Sequence, residues 1–451
     1  MSAISKPRML TSKEYLTKAY QQYIQLEPYF TADDGYQYWP CGCILNSIID
    51  FLSLAAPAGI VTYEDARAFL NKTAAFYLDN HKQGVWYDDW CWWGISTAKI
   101  FDPKYDALFE PDKKLSENFY KICTQTFRFM QSGDAPYSPS APFYKGTMQA
   151  YNFVVEQAKG YPDWEDLRRA IEPVWNLGCW QGPMTPASVN NSNYDPLTNT
   201  LGSFQDSVMN GLVYIFVQRT LNKTGADGFE LGTSADVENM TSFYKNWMSS
   251  AVPAEKRIFN VLGSNHGLFR ERIGMYKDGT TLMGFRQELA WAGDQGLMLG
   301  ALTQLYNRQT GSEQSGTLRL IESVVRGVLG AGLGAMGSYD NVIMPWCNIG
   351  LSQTEQPGNA PGYDASHSGD NGDYFSGTGI FMRGLLEAMS NQQVKDIVVS
   401  NINVLSSTID ALDDGTQYVD KVFTNGSQNG ATPMFDQFNK MATYLVASQV
   451  V

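Results

Sequence analysis

Along most of the chain, apolar residues return every three to four positions, the spacing of helices that bury one face. The repeat at i, i+3, i+4 and i+7 runs through residues 12–26, 45–56, 62–81 and 115–131. It resumes at 141–159, 163–175, 204–221, 235–251, 287–308 and 315–330, then at 377–390, 392–412 and 433–448. Ser12 and Thr62 stand where helix caps belong, each followed by acids that suit a first turn. Strand-like patterning is confined to patches such as GLFRERIGMYKDGTTL, residues 267–282. Segments rich in Gly, Pro and Asn join the helices, the longest at 182–202 and 353–375, and loops of that length are functional or disordered. No low-complexity linker or charge run divides the chain. The expectation is an N-terminal extension over residues 1–11 and one all-α domain over 12–451. Paired helices in this number predict a closed (α/α)6 toroid of inner and outer helices. A solenoid is the other all-helical option, but no fixed repeat period supports one.

Composition narrows the partners. Hydrophobic residues make up 43% of the 451 and charged residues 18%, enough apolar material for a sizeable core. The net charge of -13, with no Lys/Arg block, argues against nucleic acid and anionic membrane surfaces. No run approaches the ~20 apolar residues that cross a bilayer. The start, MSAISKPRMLTSKEYL, lacks the apolar core of a secretory signal, which leaves an intracellular protein or one whose signal has been removed. The six cysteines (Cys41, Cys43, Cys91, Cys123, Cys179 and Cys347) are scattered and read mainly as small buried hydrophobes. An acidic, aromatic-rich monomer that binds a neutral sugar fits this balance.

Histidine chemistry has little to work with. His81, His266 and His367 are far apart in sequence, and no P-loop or strand-borne GxGxxG is present. Carboxylates remain, and one pair stands out in GVWYDDWCWWGIS, residues 84–96. Asp88 and Asp89 are adjacent, with Trp86, Tyr87, Trp90, Trp92 and Trp93 around them. A carboxyl pair divides labour when its surroundings push the two pKa values apart, one acid donating a proton and the other staying ionised. Glycosidases use such pairs. Neighbours on a regular helix diverge by about 100°, so these two can share a pocket only at a helix end or in a distorted turn. The aromatics would then wall the pair and stack on sugar faces. The plain alternative is a solvated helix-capping pair.

The same stretch, WYDD followed by Trp and a helix, resembles the motif of glycoside hydrolase family 76, the endo-α-1,6-mannanases. Other segments follow that family's order: YWPCGCILNSIID (38–50), GCWQG (178–182), FQDSVMNGLVYIF (204–216), WAGDQGLMLGALTQLY (291–306) and YFSGTGIFMRGLLEAM (374–389). The resemblance implies an (α/α)6 barrel and retaining double displacement with no metal or organic cofactor. It puts the nucleophile at Asp88 and the general acid/base at Asp89. Trp39, Trp86, Tyr87, Trp93, Trp180 and Tyr374 become candidates for subsite walls, and each tryptophan also reads as core. Asp206, Asn210, Asp294 and Gln295 become candidates for holding sugar hydroxyls, or satisfied polar residues near helix ends. Arg383 reads as a structural ion pair.

The departures fall in the expected pocket. This chain has Gly293-Asp294 where the family has Tyr-Asn, Gln205-Asp206 where it has Lys-Asn, and Phe375-Ser376-Gly377 where it has Phe-Lys-Gly. They leave the sugar's identity open. Besides an α-mannoside hydrolase, two readings stand: a transglycosidase on the same scaffold, and a carbohydrate-binding toroid that no longer cleaves.

Overall fold

The computed structural model describes residues 9–31, 38–80, 87–132, 165, 204–247, 259–261, 267–278, 281–286, 289–331, 342–348, 374–414 and 433–451. The helices expected at 141–159 and 163–175 lie outside these residues, apart from Glu165. The class is all-α. The helices are α1 Ser12–Leu26, α2 Tyr38–Ala55, α3 Tyr63–Asn80, α4 Tyr87–Thr97, α5 Lys113–Ser132, α6 Ser207–Arg219 and α7 Ser234–Trp247. They continue with α8 Ala292–Arg308, α9 Gly311–Arg326, α10 Gly377–Ala388, α11 Gln392–Ser400, α12 Ile402–Asp413 and α13 Pro433–Val450.

Expected boundaries move where strand or cap chemistry intervenes. The caps behave as their side chains dictate, with one shift. Thr11, one residue before the expected Ser12, caps α1 in a reciprocal box with Glu14. Thr62 accepts from the Asp65 amide at 3.0 Å at the start of α3. The stretches expected as helix from 204 and 287 begin instead as strands β1 (Phe204–Asp206) and β6 (Leu289–Trp291). Asn401 splits the helix expected at 392–412 into α11 and α12.

Burial sorts the helices into two kinds. In α3 the buried residues are Ala66, Phe69, Leu70, Thr73, Ala74 and Tyr77, a single stripe. Such a helix covers a core from outside. In α2 every residue from Pro40 to Leu52 is buried, and in α8 every residue from Ala292 to Thr303. These helices are surrounded. Helix α2 is long and apolar enough on composition to cross a membrane, but most of it is buried within the protein. That corrects the expectation that no segment reaches such a length.

Contacts trace a circuit through the surrounded helices, from α2 to α4, α6, α8, α10 and α13, and from α13 back to α2. The striped helices lie against them: α1 on α13 and α2, α5 on α4, α7 on α6, α9 on α8, and α11 and α12 on α13. The circuit's helices run the same way. Trp93 Nε1, Ser96 Oγ and Lys99 Nζ on or just after α4 donate in turn to the carbonyls of Tyr38, Gly42 and Asn46 on α2. Between α8 and α10, Gly296 meets Ile380 early, and Gln304 donates to Glu387 at 2.5 Å late. A cavity of about 350 Å³ is lined by Leu54, Tyr105, Arg219, Gln304, Glu387 and Gln449. Those residues come from the C-terminal ends, or just beyond, of all six circuit helices, so the six N-termini share the opposite end.

The strands are short. Strands β1, β4 (Arg272–Asp278) and β5 (Thr281–Arg286) form one antiparallel sheet in the order β1-β4-β5. Strand β2 (Phe259–Val261) pairs with β3 (Gly267–Phe269), and β6 with β7 (Trp346–Asn348). Of the patch expected at 267–282, residues 267–269, 272–278 and 281–282 are strand, and β4 pairs with β1, immediately before α6.

Candidate active site

Asp88 and Asp89 sit in the first turn of α4, both half-buried. This helix end is one of the two places where adjacent acids can face a common space. Backbone N–H groups that lack intrahelical partners gather there, and the helix dipole favours carboxylate charge. Trp39 is half-buried in the first turn of α2, its ring 6.0 Å from Trp92 and 5.5 Å from Phe435. Asn210 and Asp294 are fully buried in the first turns of α6 and α8. Asp206 closes β1 immediately before α6. Half-buried Tyr374 stands just ahead of α10. Seven candidates from five helix starts thus share one end of the circuit.

Others fall elsewhere. Trp86 and Trp180 lie outside the described residues, and of Tyr87 only its helical backbone is described. Trp93 is fully buried, its ring 4.3 Å from Tyr77 and its indole donating 2.7 Å to the Tyr38 carbonyl. It packs among the core side chains between α2, α3 and α4. Trp90 stacks on Phe129 at 4.2 Å, and Trp92 lies under the Arg383 guanidinium at 5.2 Å. The reason is geometric. Helix α4 has neighbours on several sides, so tryptophans spaced around it enter the packing between helices rather than ring the acids.

Gln295 is likewise engaged within the fold. Its carbonyl accepts from the Phe269 amide at 2.8 Å, and its amino group donates to the Phe269 and Trp291 carbonyls at 2.9 and 3.0 Å. Its polar atoms fasten β3 to α8. Arg383 forms no ion pair among the described residues. It lies over Trp92 and donates 3.1 Å to the Cys43 carbonyl, bridging α10 to α2 and α4.

Two groups were not expected from the sequence. Glu271, only 3% exposed, accepts the Tyr374 hydroxyl. Its signal was an acid between Arg270 and Arg272 in a strand-like patch, easily read as solvated. At the other end of the circuit, Lys99 pairs with Asp50 at 2.7 Å and Arg219 with Glu387 at 2.8 Å. Burial pushes the Asp50 carboxyl up, but Lys99, Lys104 and the Tyr105 hydroxyl together pull it down to about 2. Burial lowers Lys99 to about 7 against the pull of Asp50. This cluster is remote from the acid pair and holds the C-terminal ends together.

The arrangement of the circuit defines a class first: a helical fold with an acidic, aromatic N-terminal end. Solved structures share that fold. The α-1,6-mannanase GH76A from Salegentibacter sp. HEL1_6 matches with a TM-score of 0.51 at 12% identity, over 98% of this chain and 100% of that one. An inactive variant of that mannanase, with alanine in place of two consecutive aspartates and in complex with α-1,6-mannotetrose, matches at 0.52 and 11%, with the same coverage. The Lin0763 protein from Listeria innocua matches at 0.51 and 13%, over 98% of each chain. The resemblance to family 76 read from WYDD therefore holds at the level of fold. No family model and no curated protein sequence matches the chain.

Proposed function

We propose that this chain is a glycoside hydrolase that cleaves an α-1,6-mannoside or a related α-linked glycan. The circuit is read as the inner ring of an (α/α)6 barrel spanning residues 12–451, working as a monomer. The observation that carries the reading is the pair Asp88 and Asp89, half-buried in the first turn of α4. Asp206, Asn210, Asp294, Trp39 and Tyr374 gather at the same end. The inactive mannanase variant, with two consecutive aspartates replaced and a mannotetrose bound, supports a paired-acid site on this fold.

In the proposed reaction Asp88 is the nucleophile and Asp89 the acid/base. The Asp88 carboxylate attacks the anomeric carbon as Asp89 gives its proton to the departing glycosidic oxygen, leaving a glycosyl ester on Asp88. Asp89, now ionised, takes a proton from water, whose oxygen attacks the anomeric carbon and releases Asp88. Retention requires carboxyls ~5–5.5 Å apart. Two inversions at one carbon return the starting configuration. Proton NMR of α-1,6-mannotetraose during hydrolysis tests this: the newly formed reducing end should appear first as the α-anomer. Initial appearance of the β-anomer would overturn double displacement. Failure to hydrolyse any α-linked mannan or glucan would overturn the hydrolase reading.

Two alternatives stand beside it: retaining chemistry with aromatic walls also permits transfer to a sugar, and the changed residues Gly293-Asp294 and Ser376 suit a binder. A transglycosidase would pass the sugar from Asp88 to an added alcohol or sugar in place of water, and product analysis at high acceptor concentration separates it. A binding toroid would retain oligosaccharide on a glycan array without cleaving it.

A further inference from the structure

The segment Phe269–Glu271 is tied to three of the circuit's helix starts at once. Ser207, the first residue of α6, donates its amide to the Glu271 carbonyl at 2.8 Å and its hydroxyl to the Arg270 carbonyl at 2.7 Å. Gln295 in the first turn of α8 bonds both backbone groups of Phe269. Tyr374, just ahead of α10, donates its hydroxyl to Glu271 Oε1 and accepts the Trp291 indole N–H at its carbonyl, 2.7 Å away. The Tyr374 and Trp291 rings meet edge to face at 5.5 Å. Backbone clamps on both sides leave the Glu271 carboxylate little freedom. A hydrogen bond donated to such a held acceptor sets the position of the phenol ring.

We infer that Glu271 is a positioning residue, its buried carboxylate fixing the Tyr374 ring at the end of the barrel where Asp88 and Asp89 lie. The inference rests on the proposed hydrolase reading for its kinetic consequence alone; the clamp itself is independent of any substrate. A half-buried tyrosine held by its hydroxyl presents a ring face, and not a free hydroxyl, to a sugar. Holding it in advance spares the ligand the cost of ordering it. Glu271 therefore acts on substrate affinity and leaves the bond-breaking step to the acid pair.

The experiment pairs a spectroscopic and a kinetic readout on the full chain. The Trp291 indole N–H resonance, assigned with Trp291→Phe, reports on the Tyr374 carbonyl that it contacts. It should move in Glu271→Ala and in Tyr374→Phe, and stay near its original position in Glu271→Gln, which keeps the acceptor oxygen. KM for α-1,6-mannotetraose should rise roughly tenfold in the first two variants, the worth of one hydrogen bond. kcat should change by less than about twofold, as expected for lost ground-state binding. The double variant Glu271→Ala/Tyr374→Phe should be no worse than either single one, because both break the same bond. An unmoved indole resonance in Tyr374→Phe, which removes one oxygen and preserves folding, overturns the clamp. KM effects that multiply in the double variant, or no rise in KM, overturn the positioning role. A wild-type protein inert on every mannoside defeats the hydrolase reading, and the indole shift still decides the clamp.

Discussion

The close approach between circuit helices α8 and α10 offers a sharp test of the packing that supports the site. Gly296 of α8 lies against the backbone of α10. A Cβ there would stand 2.5 Å from the Ile380 carbonyl carbon and 2.6 Å from the Phe381 Cα. The opposing Gly384 is equally tight, its Cβ falling 2.6 Å from the Gly296 carbonyl carbon. Ordinary contact begins at 3.4 Å, so Gly296→Ala must push the helix backbones about 1 Å further from each other. Overpacking costs about 1–3 kcal/mol, and backbone cannot rotate aside, which favours the upper end of that range. Alanine recovers about 1 kcal/mol of helix propensity, leaving a net loss of about 2 kcal/mol. Gly300, one turn later, is the control: its Cβ would come nearest the Ile215 Cδ1 methyl, at 3.0 Å, which can shift. Gly300→Ala should therefore be neutral or slightly stabilising. Urea unfolding followed by circular dichroism measures both, with the midpoint shifting and the slope unchanged. If Gly296→Ala proves as stable as Gly300→Ala, the two helices do not meet backbone to backbone.

Other predictions concern titration. Asp50 falls from 3.8 in the unfolded chain to about 2 in the folded one, so it contributes about 2 kcal/mol that is fully present above pH 3.8 and lost as pH falls through about 2. Asp50→Asn should remove that share of the acid limb in urea midpoints measured at about pH 5 and about pH 2.5; an unchanged limb refutes it. Lys99 falls from 10.5 to about 7, so the unfolded chain binds the extra proton between those values and stability should rise with pH across that window. Lys99→Met should flatten the rise, and a slope equal to that of wild type would contradict the shift. Burial raises the Cys43 and Cys123 thiols to about 12, so neither should react with a disulfide reagent until the protein unfolds. Rapid labelling of either in the native protein would show that burial does not protect them.

How far the chain could be read from its letters depended on which interactions carried each feature. Helix periodicity is local, so Ser12–Leu26 and Lys113–Ser132 emerged within two residues of their observed limits. Local pattern could not register that β1 and β6 pair with distant strands, and two helices consequently began later than periodicity suggested. The Asp pair could be singled out from the letters because its neighbours are in sequence. The placements of Trp93 and Gln295 could not, since a tryptophan packed against Tyr77 and one that faces a sugar look alike in sequence. Glu271 was passed over for the converse reason. Its arginine neighbours suggest a solvated strand, and only the fold brings the Tyr374 hydroxyl, 103 positions away, to its carboxylate.

The central claim is the division of labour between Asp88 and Asp89, and steady-state kinetics on two α-mannosides tests it most directly. One carries a natural sugar leaving group and the other an activated aryl leaving group that needs no proton. Asp88→Asn should abolish turnover of both, because the proposed glycosyl ester needs that carboxylate. Asp89→Asn should lose turnover of the natural substrate by about 10²–10⁴-fold while retaining the first step on the aryl mannoside, seen as a burst of released aryl alcohol. Full activity of either variant on the natural substrate, or equal loss on both substrates in Asp89→Asn, would contradict the account.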